Sequence, residues 1–326
     1  MRYIKKTVGI TVIPLLCFVV TGVVCELVGT SLFTGFSTVQ LFFRGLAYVL
    51  LLSFGVSINL HTGRFDFSTG ATMLIGGVIG AQVAYASGGG PVVMILVSSA
   101  VSAAVGCIVG LLYVILRLPP MIIGLGMTLV TEGMIAVVTD GCKPVSFGSD
   151  DSYYRFAVNP SAMLVVMLLA LVLMTVVFHF TKFGYDYRAL QTGQAISVNA
   201  GVNENSNAII CYTLAGLLFG AAGAISVCST NGVTPTINFS TIASMFACFL
   251  PLFFSQFINK FCNKQIAVLM GCVAYEFIQI GFGQISSVRA FFTADVYKVV
   301  EAVVLVLFLI YLNNEGLILR KRKKYA

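Results

Sequence analysis

A succession of long apolar runs constrains this chain more than any other feature. Ten segments approach the roughly 20 mostly apolar residues that carry a helix across a bilayer: about 8–29, 39–60, 67–87, 91–116, 119–139, 161–180, 207–229, 241–258, 265–283 and 295–313. The third is rich in glycine, and the eighth is short, so it is expected to bend or cross only partly. The runs are continuous, which excludes an outer-membrane barrel, whose strands alternate apolar and polar residues. Only 10% of the 326 residues are charged and the mean hydropathy is +0.98. A soluble domain carries about 25% charge. Too few charges remain to cover a water-facing surface, so the sequence predicts an all-α polytopic membrane protein of about ten transmembrane helices.

The basic residues give the direction. With the first residue in the cytoplasm and the spans alternating, the inner positions hold Arg2, Lys5, Lys6, Arg64, Arg117, Lys182, Arg188, Lys260, Lys264 and the five basic residues 320–324. Those are 14 of the 19 Lys and Arg, and Lys143, Arg155 and Arg289 fall outside with Asp150 and Asp151. This asymmetry predicts both termini in the cytoplasm, with 314–326 as a basic tail beside anionic lipid rather than a nucleic-acid site. An odd number of spans would place one basic end outside. The opening "MRYIKK" also resembles a signal peptide, but no small-x-small cleavage site follows and the apolar run is long, so it reads as the first span.

Of the nine cysteines, all but Cys142 lie in apolar runs or at their edges, where cysteine behaves as a small hydrophobe. No CxxC pair occurs, so neither a metal site nor a disulfide framework is expected. The chain holds no G-x-x-x-x-G-K-[ST] phosphate loop and only His61 and His179, which argues against ATP hydrolysis by this chain and against a membrane enzyme. Pairs of glycines four apart (Gly76 and Gly80, Gly106 and Gly110, Gly216 and Gly220) suit close helix packing in lipid.

One polar patch interrupts the apolar sequence, "HTGRFDFSTGATMLIGG" at residues 61–77. Asp66 and Ser68 are expected to cap the third helix, since a side-chain oxygen satisfies orphan N–H groups and a carboxylate suits the positive end of the helix dipole. A polar helix start inside a bundle is tolerated where protein surrounds it. The same patch, with Thr69, is a candidate lining of a translocation path, and the two readings are compatible. Ionisable residues within spans are Glu26, Arg44, Glu132, Glu276, Lys298 and Glu301. Lys298 and Glu301, three apart, are expected to pair. Glu276 with Gln279 is the best pore-facing pair, although an interior ion pair serves each of these charges equally well.

Three stretches, in order, carry a family resemblance. "TGRFDFSTGATMLIGG" resembles the T-G-G-I-D-L-S-x-G signature of sugar-type permeases of bacterial ABC importers, the ribose, xylose and galactose group. "GLLYVILRLPPMIIGLGMTLVTEGM" (110–134) and "TGQAISVNAGVNENSNAIICYTLAGLLFGAAGAI" (192–225) resemble two further segments of that family. Where the family usually has a glycine-rich segment after "GVTPTINFSTIASMF", this chain has "LPLFFSQFINKFCNKQIAVLMG". It also has Gln194 where the family often has an acidic residue. The first departure would suit a divergent half of a heterodimeric pore.

The resemblance implies the ABC importer permease fold, as a single transmembrane permease domain over 1–326 in the bacterial cytoplasmic membrane. It implies a cytoplasmic coupling loop at 181–207 that docks on a separate ATPase through Gly193, Gln194, Ala195, Ser197 and Gly201. A short helix over 193–201 is expected, with Ala195, Ile196, Val198 and Ala200 packing and Gln194, Ser197 and Asn199 reaching outward. The implied partners are a cytoplasmic ATPase, a second permease chain (identical or paralogous) and an extracytoplasmic solute-binding protein. No cofactor is expected on this chain, because ATP is used by the partner. The implied solute is a monosaccharide or a related polar compound. The alternative is an ion-coupled secondary transporter, a class marked by inverted repeats and midspan carboxylates. Glu132 and Glu276 are present, but no persuasive repeat is seen.

Overall fold

A computed structural model describes residues 2–148 and 150–288, with isolated helical positions at 296, 299, 302, 303, 306 and 310. The helices are α1 (Arg2–Val28), α2 (Phe36–Leu60), α3 (Thr69–Ser87), α4 (Gly90–Leu116), α5 (Pro120–Val138), α6 (Ser152–Val158), α7 (Pro160–Phe180), α8 (Lys182–Thr192), α9 (Gln194–Asn199), α10 (Glu204–Ser229), α11 (Ala243–Phe246), α12 (Phe249–Ile258) and α13 (Lys264–Val288). Among the described residues nine helical segments are long and apolar enough to cross a membrane. They match the first nine expected spans. The eighth, Ser240–Ile258, is broken into a 3-10 turn (Ser240–Ile242), α11 and α12. The tenth expected span at 295–313, with Lys298 and Glu301, and the basic tail at 314–326 lie outside the described residues, isolated positions aside.

The described residues form two compact units, one from 2–38 and 246–288 and the other from Val39–Met245. In the first unit α13 packs on α1 and α12. Phe18 meets Phe277 edge-on at 5.2 Å, and Cys25 Sγ lies 3.6 Å from the carbonyl of Gly281.

The second unit is built on α3, α4 and α10, which pack against one another through small residues. A β-carbon added at Gly216 would lie 2.3 Å from the carbonyl oxygen of Ser102, and one at Gly220 would lie 2.2 Å from that of Ser98. The glycine pairs predicted to pack therefore do so backbone against backbone. With no hydrophobic force between helices in lipid, such close contact and the hydrogen bonds it admits hold the bundle. One of these bonds runs from Ser102 Oγ to the carbonyl of Thr72, at 2.7 Å.

Beside this core, α5 presents Gly124, Thr128 and Glu132, spaced four apart on one face. Gly124 admits the backbone of Phe67, and Thr128 donates to the Phe67 carbonyl at 3.1 Å. Glu132, 1% exposed, accepts from Phe239 N–H (2.9 Å), Thr241 N–H (3.2 Å) and Thr241 Oγ1 (2.7 Å). A two-residue antiparallel pair, β1 (Val145–Ser146) with β2 (Gly232–Val233), ties the loop after α5 to the end of α10.

Candidate functional site

The polar patch folds into the turn between α2 and α3. Gly63 takes the left-handed conformation (φ +73), which glycine adopts without a steric penalty, and Arg64 N–H returns to the carbonyl of Asn59 at 3.0 Å. This reversal turns Arg64, Phe65 and Asp66 back toward the last turn of α2. Together with Asn59, Thr69 and Met245 they line a small cavity.

Its polar groups are deeply buried. Asn59 is 2% exposed and Arg64 3%, and Asn59 Oδ1, Asn59 Nδ2 and Arg64 Nε bond to no protein atom. Buried groups of this kind ordinarily find partners in protein or in ordered water, so these three are open to a polar partner. Burial raises the pKa of the Asp66 carboxyl above the ordinary carboxylate range, and the two bonds from Ser68 oppose the shift.

Asp66, Ser68 and Thr69 come together, but not as a conventional cap. Asp66 Oδ1 accepts from Ser68 N–H at 2.9 Å and from Ser68 Oγ at 2.8 Å, and Thr69 Oγ1 donates to the Asp66 carbonyl at 3.2 Å. The Ser68 hydroxyl is spent on Asp66 and makes no cap bond to α3. The expected pair of caps is thus corrected to an Asx turn that fixes the residue before the helix. Glu276 and Gln279 belong to the other unit, on α13. Glu276 is buried, and Gln279 donates its amide to Tyr275 Oη.

The expected coupling helix forms as α9. Gly193 precedes it, and its carbonyl accepts from Ser197 N–H at 2.9 Å and Ser197 Oγ at 2.8 Å. Gly201 (φ +93) ends it in a Schellman motif, with Gly201 N–H on the Val198 carbonyl and Val202 N–H on the Ser197 carbonyl, both at 3.0 Å. The expected facing holds for Gln194 and Asn199, which are exposed, and fails for the other positions. Ser197 is buried, whereas Ile196 is 78% exposed, and Val198, Ala195 and Ala200 are exposed with it. The Ser197 hydroxyl satisfies a backbone carbonyl at the helix start, so that face turns inward and the aliphatic face is left out.

Sequence reasoning missed what joins these two places. Asn203 caps α10 by accepting from Ser206 N–H at 3.1 Å, which sets Glu204 at the first helical position. Glu204 Oε1 lies 3.8 Å from Arg64 Nη2 and accepts a hydrogen bond from Gln194 Nε2. Tyr187 on α8 reaches the last turn of α2 through a 2.9 Å bond to the Ile58 carbonyl. The charges themselves are visible in the sequence. Their partners lie 140 and 10 positions away, and no local pattern pairs them.

Comparison with known proteins adds a further line. Residues 37–309 match the family described as "Branched-chain amino acid transport system / permease component". The chain is 27% identical over 197 residues to the ribose import permease protein of Bacillus subtilis (strain 168), covering 59% of this chain and 61% of that protein. It is 26% identical over 247 residues to the fructose import permease protein of Rhizobium meliloti (72% and 68%), and 29% over 194 residues to the galactofuranose transporter permease protein of Escherichia coli K12 (57% and 55%). The chain thus spans about three fifths of the length of the curated relatives it matches. No solved structure matches it.

Proposed function

The chain belongs to this permease family, and on that footing we propose that it is the membrane subunit of an ATP-driven ABC importer, forming the path for a monosaccharide or a related polar solute. It is a multi-pass protein of the bacterial cytoplasmic membrane. Relatives named for ribose, fructose and galactofuranose support the solute class. Uncharged polyhydroxyl solutes call for hydrogen-bonding groups rather than net charge. The amide of Asn59, the guanidinium of Arg64 and the Asp66 carboxyl beside the ring of Phe65 supply such groups at the cavity.

The observation that carries the coupling part is α9, a short helix that leaves Ile196 and Val198 exposed while its serine is buried. An exposed aliphatic face on a polar segment suits a partner surface. In this reading 181–207 and both termini face the cytoplasm, as the distribution of Lys and Arg indicates. An ATPase docks on α9, an external protein delivers the solute, and a second permease chain completes the pore.

The test is reconstitution in vesicles with the cognate ATPase and binding protein. Uptake of labelled ribose or fructose is expected to require ATP and both partners. Ala195→Arg and Ile196→Asp, each at an exposed position, are expected to insert normally yet lose the ATPase on co-purification and abolish uptake. Retention of both functions in these variants would dismiss the docking role and the orientation with it. Uptake driven by an ion gradient in the absence of any ATPase would replace this reading with a secondary transporter.

A further inference from the structure

Two contacts run in series from α9 to Arg64 in the cavity wall. Gln194 Nε2 donates to Glu204 Oε1, and the same oxygen lies 3.8 Å from Arg64 Nη2. Arg64 in turn donates from Nη1 to Thr62 Oγ1 at 3.2 Å, stands 5.5 Å over the ring of Tyr113, and leaves Nε in the cavity without a hydrogen-bond partner. A cation as buried as Arg64 needs an anion, and Glu204 supplies it from the surface side, being 26% exposed. The Gln194 bond to the Glu204 carboxylate is charge-assisted and so stronger than a neutral one, while Glu204 and Arg64 are held by charge at ion-pair distance.

We propose that Glu204 is a positioning residue that ties α9 to Arg64, so that movement of α9 is delivered to the polar cavity between α2 and α3. The inference rests on the coupling reading of α9. A neutral glutamine donates to Glu204, whereas a carboxylate at position 194 would set two carboxylates against each other and weaken the anion's hold on Arg64. The link to Glu204 gives the buried guanidinium a role beyond packing. When α9 shifts, Glu204 shifts with it, and the counter-charge holding Arg64 in the cavity wall changes position.

The experiment uses the full importer in proteoliposomes, with three readouts: ATPase co-purification, solute-stimulated ATP hydrolysis and uptake of labelled ribose or fructose. Glu204→Ala is expected to retain the ATPase while stimulated hydrolysis and uptake fall about tenfold, the worth of a charged hydrogen bond. The isosteric Glu204→Gln, which preserves shape if the alanine variant folds poorly, is expected to show an intermediate loss. Gln194→Glu is expected to lower uptake as well. Combining it with Glu204→Gln restores a donor–acceptor pair between 194 and 204 but leaves Arg64 without its carboxylate, so uptake is expected to stay as low as in Glu204→Gln alone. Normal uptake in Glu204→Ala with the ATPase bound would overturn the proposal, as would a double variant that regains normal uptake. If the unmutated protein failed to hold its ATPase, the coupling reading would fall first and this inference with it.

Discussion

Helices α7 and α10 are both long enough to span a membrane, and α7 is the more apolar of the two. Yet 28% of the residues in an apolar 18-residue window of α7 are buried, against 72% in that of α10. Along α7, Leu168, Leu169 and Val172 are each more than half exposed. Along α10, Ala215, Gly216, Gly220, Ala222 and Ala224 are buried. In water the more apolar helix would be the one inside. In a bilayer the lipid tails are as apolar as leucine, so hydropathy does not sort helices between core and periphery. Close approach does, and small residues alone permit it.

The largest way to break this comparison is at the α10 seam. Gly220→Val is expected to prevent accumulation of folded protein in the membrane, because the new side chain would overlap the Ser98 backbone on α4. Overpacking costs about 1–3 kcal/mol where side chains can adjust, and here the obstacle is backbone. Wild-type yield on detergent size-exclusion chromatography would contradict the account.

A smaller effect is expected at the buried turn. Asp66→Ala removes the acceptor for two Ser68 donors and is expected to cost about 1–3 kcal/mol, lowering yield or uptake. His61→Ala, at a half-buried position just past the end of α2, is expected to do less. Equal and negligible losses of thermal stability and uptake in both would show that the turn carries no special burden. The smallest effect is expected on α7. Leu169→Ala, at a side chain 65% exposed, is expected to stay within about 0.5 kcal/mol of the parent. A loss comparable with Gly220→Val would mean that α7 has a packing partner of its own.

The first nine spans were legible because a bilayer demands about 20 apolar residues per crossing and the chain writes them without ambiguity. The break in the eighth was also legible, since "TIASMFACFLPLFFSQFI" is short. The turn at 61–69 declared itself by polarity and glycine, and α9 by the glycines at 193 and 201. The facing of α9 was read rightly for Gln194 and Asn199 and wrongly for Ser197 and the aliphatic residues. Polar side chains were assumed to face outward, but a serine hydroxyl bonded to the backbone is as readily turned in. Glu132 was visible as a midspan charge, whereas its bonds to the 239–241 backbone were not.

Composition and run length by themselves determined that this chain is a membrane bundle, because no other solvent accommodates its surface. Spacing of small residues determined where helices can touch, because only at such positions can backbones meet. Tertiary structure alone decided which helices do touch, and that Asn59, Arg64 and Asp66 share one cavity. It alone placed Glu204 between Arg64 and Gln194. These facts depend on contacts between residues far apart along the chain, where the partner of a charge is chosen by the folded position of its helix.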